Sequence, residues 1–174
     1  MEAKGWSHVG LVTRNIERTR AFYEGVLGFP LVRGDVIRVK EGGEVHHVFF
    51  DVGRGQLLAF MEFRGVPGTQ ARLDTNLNQR LSIPRAFHAY HFALEAGSEA
   101  DLLARRTDLI AKGVRVSPIV NHEWAKSIYL RDPNEAIIEF SFQTRPFDAD
   151  DARVRPRFEF GLGDPVPWSE FLAE

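Results

Sequence analysis

Two histidines and one glutamate carry the strongest chemical signal in this sequence. His8 stands in WSHVGLVT, residues 6–13, and His91 in AFHAYHFALE, residues 86–95, and both stretches alternate as strands do. Glu139 lies in SIYLRDPNEAIIEF, an apolar strand where an unpaired carboxylate is costly to bury. Two imidazoles and one carboxylate converging inside a concave sheet leave positions on a divalent metal open for substrate or dioxygen. The chain has no cysteine. Disulfide frameworks, thiolate zinc sites, cysteine nucleophiles and iron-sulfur clusters are therefore excluded, and any metal must use His, Asp or Glu.

Equivalent strands must carry the two histidines, and a duplication supplies them. After strand 6–13, Asn15 is placed as an N-cap, and Ile16, Phe22, Tyr23, Val26 and Leu27 recur at helical spacing up to Gly28. Three strand-like stretches follow at 29–40, 44–52 and 56–63. Residues 64–85 are rich in turn and polar residues, with a short helix expected around Leu73 to Leu81. The second half repeats the order. Strand 86–95 is followed by Ser98 and Asp101 at the capping-box offset, a helix ending at Gly113, and strands near 114–120, 125–131 and 135–143.

The expected fold class is therefore α+β: two tandem β-α-β-β-β modules, 1–63 and 86–143, joined by a connecting loop, 64–85, and forming a concave mixed sheet around a metal site. One such unit has an apolar sheet face that it cannot bury alone. Residues 144–174 form a C-terminal arm whose Phe147, Phe158, Phe160, Trp168 and Phe171 make it too aromatic to be simply disordered. It is expected to pack over the core or over a second subunit.

The length of 174 residues, with 44% hydrophobic and 26% charged, suits one domain or two modules sharing a core. With 22 Lys+Arg against 24 Asp+Glu, the net charge of −2 argues against nucleic-acid binding. The longest apolar stretch, Leu57 to Met61, is far short of the roughly 20 residues that span a bilayer, and MEAKGWSH has no signal-peptide apolar core. A cytoplasmic protein acting on a small-molecule substrate is expected, with no nucleic-acid or membrane partner.

Two segments, HVGLVTRNIERTRAFYEGVLGF and NHEWAKSIYLRDPNEAIIEF, resemble the vicinal oxygen chelate superfamily, and the resemblance covers roughly residues 5–143. Glyoxalase I, fosfomycin-resistance thiol transferases, bleomycin-resistance proteins and extradiol dioxygenases belong to it. The resemblance implies metal ligands on the first and last strands of each module, which fall on His8, Ala59, His91 and Glu139. Ala59, found by aligning GQLLAF with EAIIEF, cannot bind metal. What remains is His8, His91 and Glu139, a set similar to those of the extradiol dioxygenases and fosfomycin transferases. Glu62 should point to the opposite face of its strand, which makes it a poor substitute for Ala59.

His122, Ile128-Tyr129, Asp132-Pro133 and Glu139 follow the extradiol signature, except that Glu135 replaces a Gly or Pro. By resemblance His122 would hydrogen-bond substrate or bound oxygen, and Tyr129 would donate to the metal-bound substrate oxygen. Taken without the family, His122 reads as a solvated loop residue and Tyr129 as a strand aromatic. The second acid-base His of the dioxygenases maps to Gln56, which cannot shuttle a proton. His46 and His47 point to opposite faces of one strand, so one of them could face the site. His88, at an odd offset from His91, is expected to be structural or at the surface, and Asp132-Pro133-Asn134 to form a turn.

Three functions follow. The first is an extradiol-type ring-cleavage dioxygenase of a small aromatic diol, using Fe(II), with Phe49, Phe60, Phe87 and Trp124 available to wall the pocket. The second keeps a divalent metal, Mn(II), Zn(II) or Ni(II), as a Lewis acid in a glyoxalase-like lyase or isomerase, or in a fosfomycin-type transferase. Ser127, Tyr129 and Asp132-Pro133 resemble the last of these, whereas Gly10 stands where those transferases carry Thr. The third is a metal-free ligand-binding protein of the bleomycin-resistance kind, which generally lacks the ligand residues retained here. A homodimer is expected, with modules paired within one chain or exchanged between two.

Overall fold

The computed structural model describes residues 5–69 and 90–153. The first half runs β1 (His8–Val12), α1 (Ile16–Arg20) with a π-helical continuation (Ala21–Val26), β2 (Leu31–Arg38), β3 (Glu44–Gly53) and β4 (Gln56–Arg64). The second runs β5 (His91–Glu95), α2 (Glu99–Ala111), β6 (Val120–Asn121), β7 (Ala125–Arg131) and β8 (Ile137–Gln143). Each half forms a four-stranded mixed sheet, ordered β1-β4-β3-β2 and β5-β8-β7-β6. The first strand of each half joins the last in parallel, and the other neighbours are antiparallel. This is the expected α+β fold of two βαβββ modules.

The chain divides into two compact units, Met1–Leu81 with Asp132–Ala136, and Ser82–Arg131 with Ile137–Glu174. In the first unit Asn15 caps α1, its extended backbone letting the side chain accept from Arg18 N at 2.8 Å. The helix then widens: Leu27 N bonds Phe22 O, and Gly28, at φ +76°, ends it. That turn carries Tyr23, fully buried between Phe50 and Phe60, with ring centroids at 5.5 and 4.7 Å.

A buried polar network surrounds the Tyr23 hydroxyl, which donates to Asp132 Oδ2 at 3.1 Å. Asp132 Oδ2 also accepts from Asn134 Nδ2 at 3.1 Å, and Oδ1 accepts from the backbone N–H groups of Asn134 and Ala136, both at 2.8 Å. Four donors thus occupy both oxygens of a carboxylate that is 3% exposed. Thr13 and Thr19 complete the network through Asn134, at 2.8 and 3.2 Å. The Asp132-Pro133-Asn134 turn is as expected, but its role extends beyond reversing the chain.

In the second unit Ser98 caps α2 by accepting from Asp101 N at 3.1 Å. Leu102 and Leu109 are fully buried, as are Ile128 and Ile138, and the Arg105 guanidinium lies 5.2 Å over the Phe140 ring. The expected strand at 114–120 is reduced to Val120–Asn121 and an isolated bridge between Val116 and Leu130. Pro118 has no N–H to offer a ladder, and Ser117 takes over the pairing: its N–H reaches Tyr129 O at 2.9 Å and its Oγ accepts from Tyr129 N at 3.0 Å. The expected helix at 73–81, strand residues 86–89 with Phe87 and His88, and arm residues 154–174 lie outside the described residues.

Candidate functional site

Strand alternation decides which side chains can share chemistry. In β5, β7 and β8 the register places Tyr129 and Ala93 opposite Glu139, and His91 opposite Ile137. Residues directly opposite, and those two positions along, share a face. His91, Ser127, Tyr129 and Glu139 therefore stand together on the face away from Ile128, Leu130, Ile138 and Phe140.

His91 and Glu139 are in direct contact, Nε2 to Oε2 at 3.0 Å. Glu139 is 5% exposed. Burial pushes its carboxyl upward, but hydrogen bonds from His91 and Ser127 and the charges of His91 and His122 outweigh this, holding it below the ordinary carboxylate range. The result is an ionised carboxylate beside an imidazole, a donor pair suited to a borderline or hard divalent cation. Within either unit, among the described residues, no three His, Asp or Glu side chains gather around one point.

The Tyr129 hydroxyl lies 2.9 Å from His122 Nε2, and the Tyr129 ring stands 6.1 Å from that of His91, edge to face. His122 is thus tied to the strand that faces Glu139. Spacing alone read it as a solvated loop residue, because the hydrogen bond joins residues on successive segments of a hairpin. Ser127 as a donor to Glu139 was the residue that sequence reasoning missed. Its position two residues before Tyr129, hence on the same face, was the available signal.

In the first unit the same register recurs: His8 pairs with Leu57, and Gly10 and Phe49 flank Ala59. Ala59 is therefore the counterpart of Glu139, and Phe49 that of Tyr129. His8 Nδ1 is engaged by Ser7 Oγ at 2.9 Å, and its ring stands 6.0 Å from Phe49. Glu62 faces the other side, accepting from Ile16 N at 3.1 Å and from Arg64 at 2.7 Å, so it is a helix-capping and ion-pairing residue. Of the neighbouring histidines, His47 shares the His8 face, its ring 4.2 Å from that of Phe49, while His46 lies opposite Glu62 on the other face. Phe60, expected to wall a pocket, is instead fully buried against Tyr23, because it alternates with Ala59. Gln56 alternates with Leu57 in the same way and so lies off the His8 face.

The family model for the Glyoxalase/Bleomycin resistance protein/Dioxygenase superfamily matches residues 5–140. The chain belongs to this superfamily. Solved structures of the superfamily fold agree. A lactoylglutathione lyase from Agrobacterium tumefaciens has TM-score 0.54 at 21% identity, covering 81% of this chain and 95% of its own. A fosfomycin resistance protein from Listeria monocytogenes, complexed with Mn(II) and sulfate, has TM-score 0.53 at 19% identity, covering 82% and 95%. An antibiotic-binding protein from a Streptomyces species has TM-score 0.56 at 16% identity, covering 82% and 99%. No curated protein matches the sequence significantly. Members of this superfamily are mostly enzymes, take small molecules and use divalent metals such as Mn(II). No helix among the described residues is long and apolar enough to cross a membrane.

Proposed function

We propose that this vicinal oxygen chelate protein is an extradiol-type dioxygenase that cleaves the ring of a small aromatic diol, with His8, His91 and Glu139 holding Fe(II). The observation that carries this reading is the grouping of the His91–Glu139 pair and the His122–Tyr129 pair on one sheet face. A divalent metal bound there supplies Lewis acidity to two neighbouring substrate oxygens. Tyr129 donates its hydroxyl proton toward a substrate oxygen, and His122 Nε2, 2.9 Å from that hydroxyl, accepts or returns a proton. Glu139 stays ionised because His91 and Ser127 both bond it. Both atoms of dioxygen enter the ring-opened product beside the two oxygens of the diol, so no external reductant is consumed.

Gln56 favours a second reading, since an amide cannot replace an acid-base imidazole. On that reading Mn(II), Zn(II) or Ni(II) serves a glyoxalase-like lyase or isomerase, or a fosfomycin-type transferase, without dioxygen. Anaerobic reconstitution with each metal, followed by oxygen uptake with a panel of catechols, separates the two. Uptake with Fe(II) alone is expected, and stoichiometric Fe(II) binding without uptake refutes the dioxygenase. His8→Ala or Glu139→Ala protein that keeps full metal affinity refutes the ligand set, and a wild-type chain that binds no divalent metal is a binder. The protein is further proposed to be cytoplasmic and to work as a homodimer, and a sedimentation mass near 20 kDa refutes the dimer.

A further inference from the structure

Strand β2 (Leu31–Arg38) ends the first unit's sheet, with β3 on one side and, among the described residues, no strand on the other. Such an edge offers a row of backbone N–H and C=O groups to a second strand. One step beyond the Arg38–Glu44 pair, Val39 N donates to Gly43 O at 3.0 Å, so by alternation the outward-turned backbone groups fall on Gly34, Val36 and Arg38. The side chains are open as well. Val32, Val36 and Ile37 are all exposed, and Val36 and Ile37, as neighbours in a strand, point to opposite faces. Water therefore reaches both faces of β2, and its apolar residues forgo burial.

The order of side chains along β2 is complementary to itself. In Val32-Arg33-Gly34-Asp35-Val36, an antiparallel copy related by a two-fold axis at Gly34 sets Val32 opposite Val36 and Arg33 opposite Asp35. Gly34 then meets its own copy, each with N–H and C=O turned outward. Within one chain Arg33 bonds Asp35 twice, at 2.7 and 3.0 Å, on an exposed surface. Pairing would extend this into a ring of four charges of alternating sign. Opposite charges directly across a strand pair stabilise it, and like charges destabilise it. Moving the axis by one residue, onto Arg33 or Asp35, would set guanidinium against guanidinium or carboxylate against carboxylate. The bulge between Leu31 and Arg33 ends the match beyond Val32.

We propose that β2 is the surface through which two copies of this chain pair, edge to edge and antiparallel about Gly34, joining two four-stranded sheets into one. The inference names the contact for the homodimer proposed above and rests on that reading. A ladder this short buries little surface, so weak, roughly micromolar association is expected.

Two measurements on the full chain test it, the first by sedimentation equilibrium. Asp35→Arg sets guanidinium groups opposite each other on both sides of the axis and should weaken the dimer at least about tenfold. Adding Arg33→Asp restores unlike charges across the axis and should return the affinity to within about threefold of native. The second measurement exploits the absence of cysteine. Gly34→Cys puts a lone thiol on the axis, where a Cβ meets only Val48 Cγ1 at 4.0 Å. Hydrogen-bonded residues opposite each other stand about 5.5 Å apart at Cα, within disulfide range. Mild oxidation should therefore give a covalent dimer, whereas Arg38→Cys, on the same strand but away from the axis, should remain uncrosslinked. A dimer indifferent to Asp35→Arg, an affinity not restored by the double substitution, or equal cross-linking from both positions overturns the β2 surface and leaves the homodimer standing. So does a dimer that Gly34→Cys fails to cross-link. A native chain that keeps the 19.8 kDa monomer mass up to millimolar concentration overturns both.

Discussion

Replacing Tyr23 by Phe deletes one oxygen from a fully enclosed polar group of the first unit. Tyr23 is fully buried, and its ring contacts with Phe50 and Phe60 survive the change, so the apolar contribution stays constant. What disappears is a hydrogen bond to an ionisable acceptor, whose usual net value is about 1.5–3 kcal/mol. Its 3.1 Å length places it in the lower part of that range, and Asp132 Oδ2 keeps Asn134 Nδ2 as a second donor. A loss of about 1.5–2 kcal/mol is expected, a change of roughly ten- to thirtyfold in the folding constant. For a chain of this size the melting midpoint falls by about 3–8 °C.

The pH dependence gives this prediction its sharper edge. Burial raises the Asp132 carboxyl above its ordinary value, although bonds from Asn134, Ala136 and Tyr23 pull the other way. A raised folded value means that Asp132 favours the folded state most in acid, and that this benefit is lost as pH rises through the folded value. The Tyr23 hydroxyl offsets part of that loss by stabilising the ionised form. The gap between native and Tyr23→Phe protein is therefore widest near neutral pH and narrows on acidification. Urea unfolding followed at several pH values, with the slope checked for constancy, measures it. A gap under about 0.5 kcal/mol at pH 7, or one that does not change with pH, refutes the reasoning.

Ser127→Ala removes a hydrogen bond to Glu139 without touching a proposed ligand; metal affinity measured by competitive chelation should fall by about 10–100-fold, and an unchanged affinity denies Ser127 its orienting role. Glu62→Gln should cost about 0.3–1 kcal/mol at neutral pH, through the weaker bond to Ile16 N and the lost charge opposite Arg64. Burial pushes the Glu62 carboxyl up, but Arg64, the Ile16 N–H and His46 outweigh it and lower it below 4.5. Its stabilisation is thus present above the ordinary value and lost as pH falls through the folded one, so the two proteins should converge in acid. Gly43→Ala should destabilise by more than the roughly 1–2 kcal/mol of a left-handed backbone, because φ is +82° and a Cβ would meet the backbone of Arg64, Gly65 and Val66 at 2.5 Å. A chemical denaturation midpoint matching the native chain would contradict that geometry.

Local signals made much of the fold legible. Asn15 and Ser98 cap helices as their side-chain chemistry dictates, and the alignment of GQLLAF with EAIIEF anticipates the register that gives Ala59 and Glu139 equivalent neighbours. Alternation sent His46 and His47, and Glu62 and Ala59, to opposite faces. The same rule applied to Phe60 would have assigned it to the helix side. What escaped was non-local or depended on one atom. Ser117 replaces a strand with side-chain hydrogen bonding, the helix widens around Tyr23, and Trp124 meets Phe147 across a segment that carries no motif.

The duplicated modules have diverged at three matched positions, and this explains why the second carries more polar contacts on that face. Tyr129, Glu139 and Ser127 in the second unit correspond by register to Phe49, Ala59 and His47 in the first. Where Tyr129 has a hydroxyl Phe49 has none, and where Glu139 accepts hydrogen bonds Ala59, with no exposed surface, offers only a methyl group. A carboxylate at position 59 would face a phenyl ring and lack the hydroxyl donor that holds Glu139 ionised. The divergence leaves one mark: among the described residues, His47 Nε2 is the buried side-chain polar atom without a hydrogen-bond partner. Burial lowers the His47 imidazole, with opposing attraction from Asp35 and added repulsion from His8 and Arg33. It therefore persists as a neutral ring on Phe49, at the position where its counterpart Ser127 has a carboxylate to bond. The first module thus keeps an apolar face beside His8, and the second holds the ionised Glu139 on one face with the hydrogen-bonded His122–Tyr129 pair.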